Sequence, residues 1–263
     1  VTGISSNQVD LSDTDSYNKL KNIITADSTI IMCVGLKKQL GDNLDIFEKN
    51  LIIINNFIRA ILYLSPKKII FISSASIYGE DVVHSDKIDE NTLVVNRSYY
   101  GMAKYISELL LDKVCAEVKT KLVILRPPLI YGSGDRSFGY GPTGFLRKAL
   151  DGEKIIMWGN GTELREFIYI DDIVDIIKKL IDSEFNGVLN VVSGKSYTYS
   201  DITRIIRDDL HLDLEVSFRK RTKHKVDHLF SDLRLRNVVH DFSFTSLNSG
   251  ISLMHKSMQN KND

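Results

Sequence analysis

Apolar positions along this chain follow two alternating rhythms. Short, mostly apolar runs at residues 28–34, 68–73 and 121–126 read as buried strands. Between them, residues 46–64 read as a helix. After Tyr100, the residues Ile106, Leu109, Leu110 and Val114 recur at three- and four-residue spacing, which predicts an amphipathic helix. A strand–helix–strand rhythm of this kind predicts an α/β fold, a doubly wound parallel sheet with helices on both faces. Ligands of such sheets collect beyond the carboxyl ends of the strands. Cys33, Ser74 and the pair Arg126-Pro127 fall at those ends. Past Tyr131 the composition changes. Residues 132–144 are glycine-rich but too irregular for a phosphate loop, and are expected to form a flexible segment that caps a ligand. The chain therefore divides into a sheet domain, 1–130, and a smaller C-terminal region, 131–263, partly interleaved with the first.

Composition narrows the function classes. The chain has 263 residues, ample for a core, with 34 Lys+Arg and 34 Asp+Glu, so its net charge is zero. That balance gives no sign of affinity for nucleic acid or a membrane surface. Cys33 and Cys115 supply no disulfide framework and suit a reducing, cytoplasmic setting. His224 and His228 would share a helix face, but lysines surround them and no third ligand follows, so no metal is expected. The best membrane candidate, 51–64, is broken by Asn55, Asn56 and Arg59, and no secretory signal is expected.

Three residues carry the chemistry. Ser74 lies in Phe71-Ile-Ser-Ser-Ala-Ser-Ile-Tyr-Gly79, at the end of an apolar strand, and Tyr100 and Lys104 open the helix that follows. A Tyr-x-x-x-Lys pair alone means little, since Tyr17 with Lys21 and Tyr63 with Lys67 have the same spacing. Tyr17 falls in a polar stretch, however, and Ser65-Pro66 interrupts the other pair. On a helix, residues four apart share a face, so Tyr100 and Lys104 point the same way. A free tyrosine titrates near 10, too high for a base at neutrality. An ammonium beside it favours the phenolate. Tyr100 is then suited to remove a proton from a substrate hydroxyl that Ser74 holds within reach.

With those residues in place, the chain resembles the extended short-chain dehydrogenase/reductases, specifically the NAD-dependent epimerase/dehydratase family that acts on nucleotide sugars. Four runs carry the likeness. Ser98-Tyr-Tyr-Gly-Met-Ala-Lys104, with Glu108 after it, resembles the family's Ser-Pro-Tyr-Gly-x-Ser-Lys. Leu125-Arg-Pro-Pro-Leu-Ile-Tyr-Gly-Ser-Gly-Asp135, Trp158-Gly-Asn-Gly-Thr-Glu-Leu-Arg-Glu-Phe-Ile-Tyr-Ile-Asp-Asp172 and Leu189-Asn-Val-Val-Ser-Gly194 resemble its later motifs, in order. The resemblance implies a Rossmann-like fold, NAD as cofactor with NADP open, and a nucleotide-diphosphate sugar as partner. It leaves a homodimer open. It places the cofactor against Asp10, Leu11, Cys33, Val34 and Gly35, and further against Asn50, Ser73 and Pro127, besides Tyr100 and Lys104. Helix-surface polarity is an equal reading of Asn50. For the sugar nucleotide it implies Ser74, Ser76 and Tyr100, with Arg165 on the diphosphate and Arg221 as the nearest second arginine. Leu129 departs from the family, which often has asparagine there.

A larger departure lies at the start. Val1-Thr2-Gly3 resembles the tail of a first strand, but Ile4-Ser-Ser-Asn-Gln8 lacks the glycines that should bind pyrophosphate at a helix N-terminus. Val9-Asp-Leu-Ser-Asp13 already resembles a later segment. The first strand–helix–strand portion is therefore expected to be missing, by truncation or loss in the gene, leaving the nucleotide site half built and a sheet edge bare. Family dehydratases carry Asp-Glu directly after the catalytic Thr or Ser, where this chain has Ala75-Ser76, so dehydration is not expected. Between the reactions left, no single residue chooses; the overall resemblance favours a 4-epimerase, through a 4-keto intermediate, with a 4-keto-sugar reductase as the alternative. The third reading is an inactive remnant that binds a sugar nucleotide without the cofactor. The last residues, 259–263, are polar and expected to fray.

Overall fold

The computed structural model describes residues 1–135 and 139–260. It opens with one helical turn, α1 (Ser16–Leu20), and a short strand, β1 (Thr29–Met32). The helix α2 (Leu44–Leu64) starts two residues earlier than the apolar pattern predicts, because Asn43 caps it by accepting the Ile46 N–H at 3.1 Å. It ends at Ser65, which takes the left-handed conformation (φ 41°) before Pro66. Strand β2 (Lys68–Ile72) leads into a 3₁₀ turn over Ala75–Tyr78. Helix α3 (Tyr99–Val118) begins at Ser98, whose hydroxyl accepts the Gly101 N–H at 3.0 Å, and stops at Lys119 with φ 58°. Strand β3 (Lys121–Arg126) follows, over the residues expected.

The second half of the chain holds shorter elements. They are β4 (Leu129–Tyr131), α4 (Pro142–Leu150), β5 (Ile155–Trp158), β6 (Leu164–Arg165), β7 (Phe167–Tyr169) and α5 (Ile170–Ile181). After them come β8 (Gly187–Asn190), β9 (Tyr197–Thr198), α6 (Tyr199–Arg204), β10 (Val216–Arg219), α7 (Leu233–Val238) and α8 (Leu247–Gln259). Gln259 thus closes a helix rather than opening a frayed tail, and residues 261–263 lie outside the described residues. So do 136–138, within the glycine-rich stretch expected to cap a ligand.

Two compact units emerge. The first comprises Val1–Gly79, Leu93–Arg126 and Leu180–Leu189; the second Glu80–Thr92, Pro127–Lys179 and Asn190–Asp263. The first unit holds a sheet of order β1-β2-β3-β8, with β1–β2 and β2–β3 parallel. Ile31 stands opposite Ile70, and Ile70 opposite Val123. Alternation sorts the side chains: Ile69, Phe71, Leu122 and Ile124 join one core cluster with Ile54, Phe57 and Ile61 of α2 and Leu111 of α3. Ile70, Val123 and Leu125 are buried on the opposite face. Lys68 is buried too, its ammonium donating to the Leu180 and Ile181 carbonyls at 2.8 Å and to that of Ser183, which satisfies the end of α5. β1 is the last strand on its side, so its outer edge carries no partner strand among the described residues.

The second unit gathers around Tyr131, Phe145, Phe167, Tyr199, Ile202 and Ile251. Its strands pair in twos: β5 with β10 and β4 with β7 in parallel, β6 with β9 antiparallel. Thr198 and Asp201 form a reciprocal capping box at α6. In α8, Gly250 lies so close to Tyr131 that an added Cβ would stand 1.9 Å from the phenol oxygen.

Candidate active site

β2 delivers the serines. Ser73 is buried, and its hydroxyl donates to Glu108 of α3. Ser74 follows in extended conformation (φ −161°, ψ 145°) and caps the 3₁₀ turn, its Oγ accepting the Ser76 N–H at 3.1 Å. Ser74 stays half-buried. Ser76, predicted to touch substrate, has its hydroxyl buried without a hydrogen-bond partner.

α3 delivers the other two residues. Its first turn is tethered by Asp42, whose carboxylate accepts the Tyr100 N–H at 3.1 Å. One turn on, the Lys104 ammonium donates to the Ile72 carbonyl at 2.8 Å and stands 4.9 Å from the centre of the Phe71 ring. Lys104 is therefore fixed to the strand end that carries Ser74. Burial pushes its pKa down to about 8, against the opposing fields of Cys33 and Glu108.

The loop after β1 closes on the same lysine. At Gly35 (φ 152°) an added Cβ would lie 3.3 Å from the Lys104 Nζ and 3.5 Å from the Asn50 Oδ1. Asn50 is buried and clamps this loop: its Oδ1 accepts the Leu36 N–H at 2.8 Å, and its Nδ2 donates to the carbonyls of Leu36 (3.2 Å) and Ile46 (3.1 Å). Its three bonds tie the loop after β1 to α2. A cavity of about 10 Å³, room for a single water, lies among Val34, Gly35, Asn50, Tyr100 and Lys104. A larger one of about 770 Å³ runs along β1, lined by Asp10, Leu11, Val34 and Gly35 among other residues. Two sequence-distant groups of predicted cofactor residues thus meet on adjoining cavities. Cys33 is exposed at the end of β1, while Ser73 and Pro127 are buried and line neither cavity.

These residues fit one end of a dinucleotide better than its middle. The ammonium of Lys104, the phenol of Tyr100 and the close approach at Gly35 suit a ribose and nicotinamide. Asp10 holds its own turn, accepting from the Ser12 N–H and hydroxyl at 2.8 and 2.7 Å. Leu11 is part of the core, its carbonyl accepting from Asn56 at 2.9 Å. For the pyrophosphate, among the described residues no glycine turn opens a helix at this cavity. The Ser5 N–H is taken by the Gln8 side chain at 2.8 Å, and α1 is a single turn preceded by Asp13 and Asp15.

The predicted substrate arginines belong to the second unit. Arg165, in β6, donates from Nη1 to the carbonyls of Leu164 (2.8 Å) and Val226 (2.6 Å). Arg221 pairs with Glu163 at 2.8 Å, and its Nη2 is buried without a hydrogen-bond partner. It lies over Gly159 (φ 58°), where an added Cβ would stand 2.0 Å from Nε. Tyr140 and Tyr199 pack with their rings tilted and centroids 4.4 Å apart, and burial raises both their pKa values; Arg221 opposes that rise at Tyr140, and Arg165 at Tyr199. Glu163 and Tyr140 are partners that no motif announced. Leu129, the departure noted in the sequence, is exposed at the start of β4. Glu166, beside Arg165, is buried and accepts the Ser193 N–H and hydroxyl at 2.8 and 3.2 Å, joining two of the sequence motifs.

Known proteins resemble this chain over most of its length. A curated dTDP-4-dehydro-6-deoxy-D-allose reductase of Streptomyces bikiniensis is 22% identical over 207 residues, 74% of this chain and 63% of the relative. This chain thus spans a little under two thirds of that relative. Among solved structures, UDP-glucose 4-epimerase of Thermotoga maritima with UDP-glucose superposes with a TM-score of 0.85 at 19% identity, covering 96% of this chain and 84% of the other. UDP-glucuronic acid 4-epimerase of Bacillus cereus, in complex with UDP-glucuronic acid and NAD, gives 0.82 at 19% identity, over 98% and 81%. At that identity the likeness speaks for the fold, the α/β parallel sheet expected from the sequence. The model of the NAD dependent epimerase/dehydratase family matches residues 2–192, nearly three quarters of the chain, and on that match the chain belongs to the NAD-dependent epimerase/dehydratase family.

Proposed function

We propose that this chain carries the reacting centre of a NAD-dependent nucleotide-sugar 4-epimerase. The observation that carries the reading is the fixing of Lys104, on the helix that bears Tyr100, to the Ile72 carbonyl two residues before Ser74. Tyr100, Lys104 and the loop 33–35 would hold the nicotinamide and its ribose, with Asp10 and Leu11 at the adenosine end. When bound, the nicotinamide supplies the acceptor and then the donor of a hydride. The chain supplies proton handling and position. The Lys104 ammonium lowers the cost of the Tyr100 phenolate, which takes the proton of the sugar 4-hydroxyl while Ser74 donates a hydrogen bond to that oxygen. After the keto sugar turns over, Tyr100 returns the proton and the opposite configuration results. Arg165 and Arg221 would take the diphosphate, where a guanidinium fork suits paired oxygens.

Dehydration is disfavoured because Ala75 and Ser76 offer no carboxylate beside Ser74. The same centre run once would make a 4-keto-sugar reductase, a reading favoured by the Streptomyces relative, itself such a reductase by name. Among the described residues no glycine turn opens a helix at the cavity along β1, which favours a third reading, a chain that binds sugar nucleotide without turnover. Three assays separate them, the first being incubation of the purified chain with UDP-glucose and NAD, followed by NMR of the sugar. Appearance of the C4 epimer, lost on Tyr100→Phe, supports the epimerase. Oxidation of NADH or NADPH with a nucleotide 4-keto sugar, and no epimer, supports the reductase. Calorimetry with NAD completes the set. No binding at millimolar cofactor, with a sugar nucleotide bound, leaves the third reading.

A further inference from the structure

The most buried charged pair of the first unit lies one turn beyond Lys104. Glu108 is 3% exposed, and both its carboxylate oxygens are engaged. Arg126, at the end of β3, donates from Nε at 3.1 and 3.2 Å and from Nη2 at 2.6 Å. The Ser73 hydroxyl donates to the same carboxylate. The remaining arm of Arg126 reaches the Tyr78 hydroxyl at 2.8 Å, in the 3₁₀ turn that follows Ser74. The Ser73 N–H donates in turn to the Leu125 carbonyl at 2.8 Å, joining β2 to β3 beside this cluster.

Stability is a weak explanation for such a cluster. Removing two charges from water costs much of what their attraction returns, and apolar residues of similar volume commonly replace a buried pair without loss. Geometry explains it better. α3 grips the end of β2 at two successive residues, Lys104 at the Ile72 carbonyl and Glu108 at the Ser73 hydroxyl. Two points a helical turn apart set both the position of the helix along the strand and its rotation against it. Ser74 is the next residue.

We propose that Glu108 is a positioning residue, which with Arg126 and Ser73 locks the strand end carrying Ser74 in register with Tyr100 and Lys104. This rests on the epimerase reading for its kinetic consequence but not for its structural one. The test uses the full chain with Ser73→Ala and with the double change Glu108→Leu/Arg126→Met, which removes both charges together and so avoids an unpaired buried arginine. Two readouts are taken: turnover, and the ¹⁵N signal of the Lys104 ammonium, assigned by its absence in Lys104→Arg. Both variants should stay folded, lose or shift the Lys104 signal that reports the bond to Ile72, and lose kcat with a smaller change in KM. The expected loss is about tenfold for Ser73→Ala, one hydrogen bond, and about 10²-fold for the double change. Folded variants with the wild-type Lys104 signal, or with wild-type kcat, would overturn the proposal. If the wild-type chain turns over no nucleotide sugar, the epimerase reading fails, and the Lys104 signal alone decides the positioning role.

Discussion

Replacing Glu166 by glutamine should remove a pH dependence of stability that wild-type protein shows between mildly acidic and neutral pH. Glu166 is 1% exposed, and burial pushes its pKa from an ordinary 4.5 up to about 7, although Ser193 donates two hydrogen bonds to it. Asp232 adds a like charge nearby. The other carboxyl oxygen, Oε1, is buried without a hydrogen-bond partner. Because the folded-state pKa is raised, the folded chain holds a proton that the unfolded chain has released. This contribution is fully present below pH 4.5 and is lost as pH rises through about 7. Each pH unit of that gap is about 1.4 kcal/mol, so the group alone accounts for on the order of 3 kcal/mol. Urea unfolding of wild type and Glu166→Gln at intervals from pH 5 to 8 measures it. Other titrating groups are common to both proteins, so the difference between the two curves isolates Glu166. The variant should gain relative to wild type as pH rises, by a few kcal/mol over the range. Parallel curves would refute the argument, and would mean that water or a rearranged Asp232 stabilises the ionised carboxylate.

Lys104 makes a second pH prediction, this one kinetic. Its pKa is pushed down to about 8, so kcat/KM should fall on the alkaline side through that value as the ammonium that supports the Tyr100 phenolate is lost. A profile flat to pH 10 would disconnect Lys104 from the reaction. Gly159→Ala should raise KM for a nucleotide sugar more than it lowers kcat, since the new methyl displaces the Arg221 guanidinium and adds strain at φ 58°. Isothermal titration with UDP-glucose measures the binding part directly. Gly250→Ala drives a methyl into the Tyr131 phenol and should destabilise the second unit by about 1–3 kcal/mol, read as a lowered urea midpoint.

Much of the candidate site was legible because its chemistry is local. Ser74 sits where an apolar run ends, and Tyr100 and Lys104 are four apart on one helix, so side-chain types and spacing already place them. Asn50 shows the limit. Polar positions on a helix look alike in a sequence, and only the return of the loop at Leu36 makes this one a clamp. Glu163 likewise became the partner of Arg221 through a contact 58 positions away in the chain. No spacing rule reaches that far.

What the residues alone determined is the strand and helix rhythm, the parallel sheet it implies, and the place of Ser74 at a strand end and of Tyr100 and Lys104 on one helix face, all of which depend on periodicity or on neighbours within one turn. The tertiary structure decided the rest. It tied Lys104 to the Ile72 carbonyl and gathered Arg126 and Ser73 around the buried Glu108 carboxylate, with Tyr78 on the far arm of Arg126. It also set Asp10, Leu11, Val34 and Gly35 on one cavity. Burial and long-range hydrogen bonding are properties of how elements pack, and it is burial that moves a lysine down to about 8 and a glutamate up to about 7.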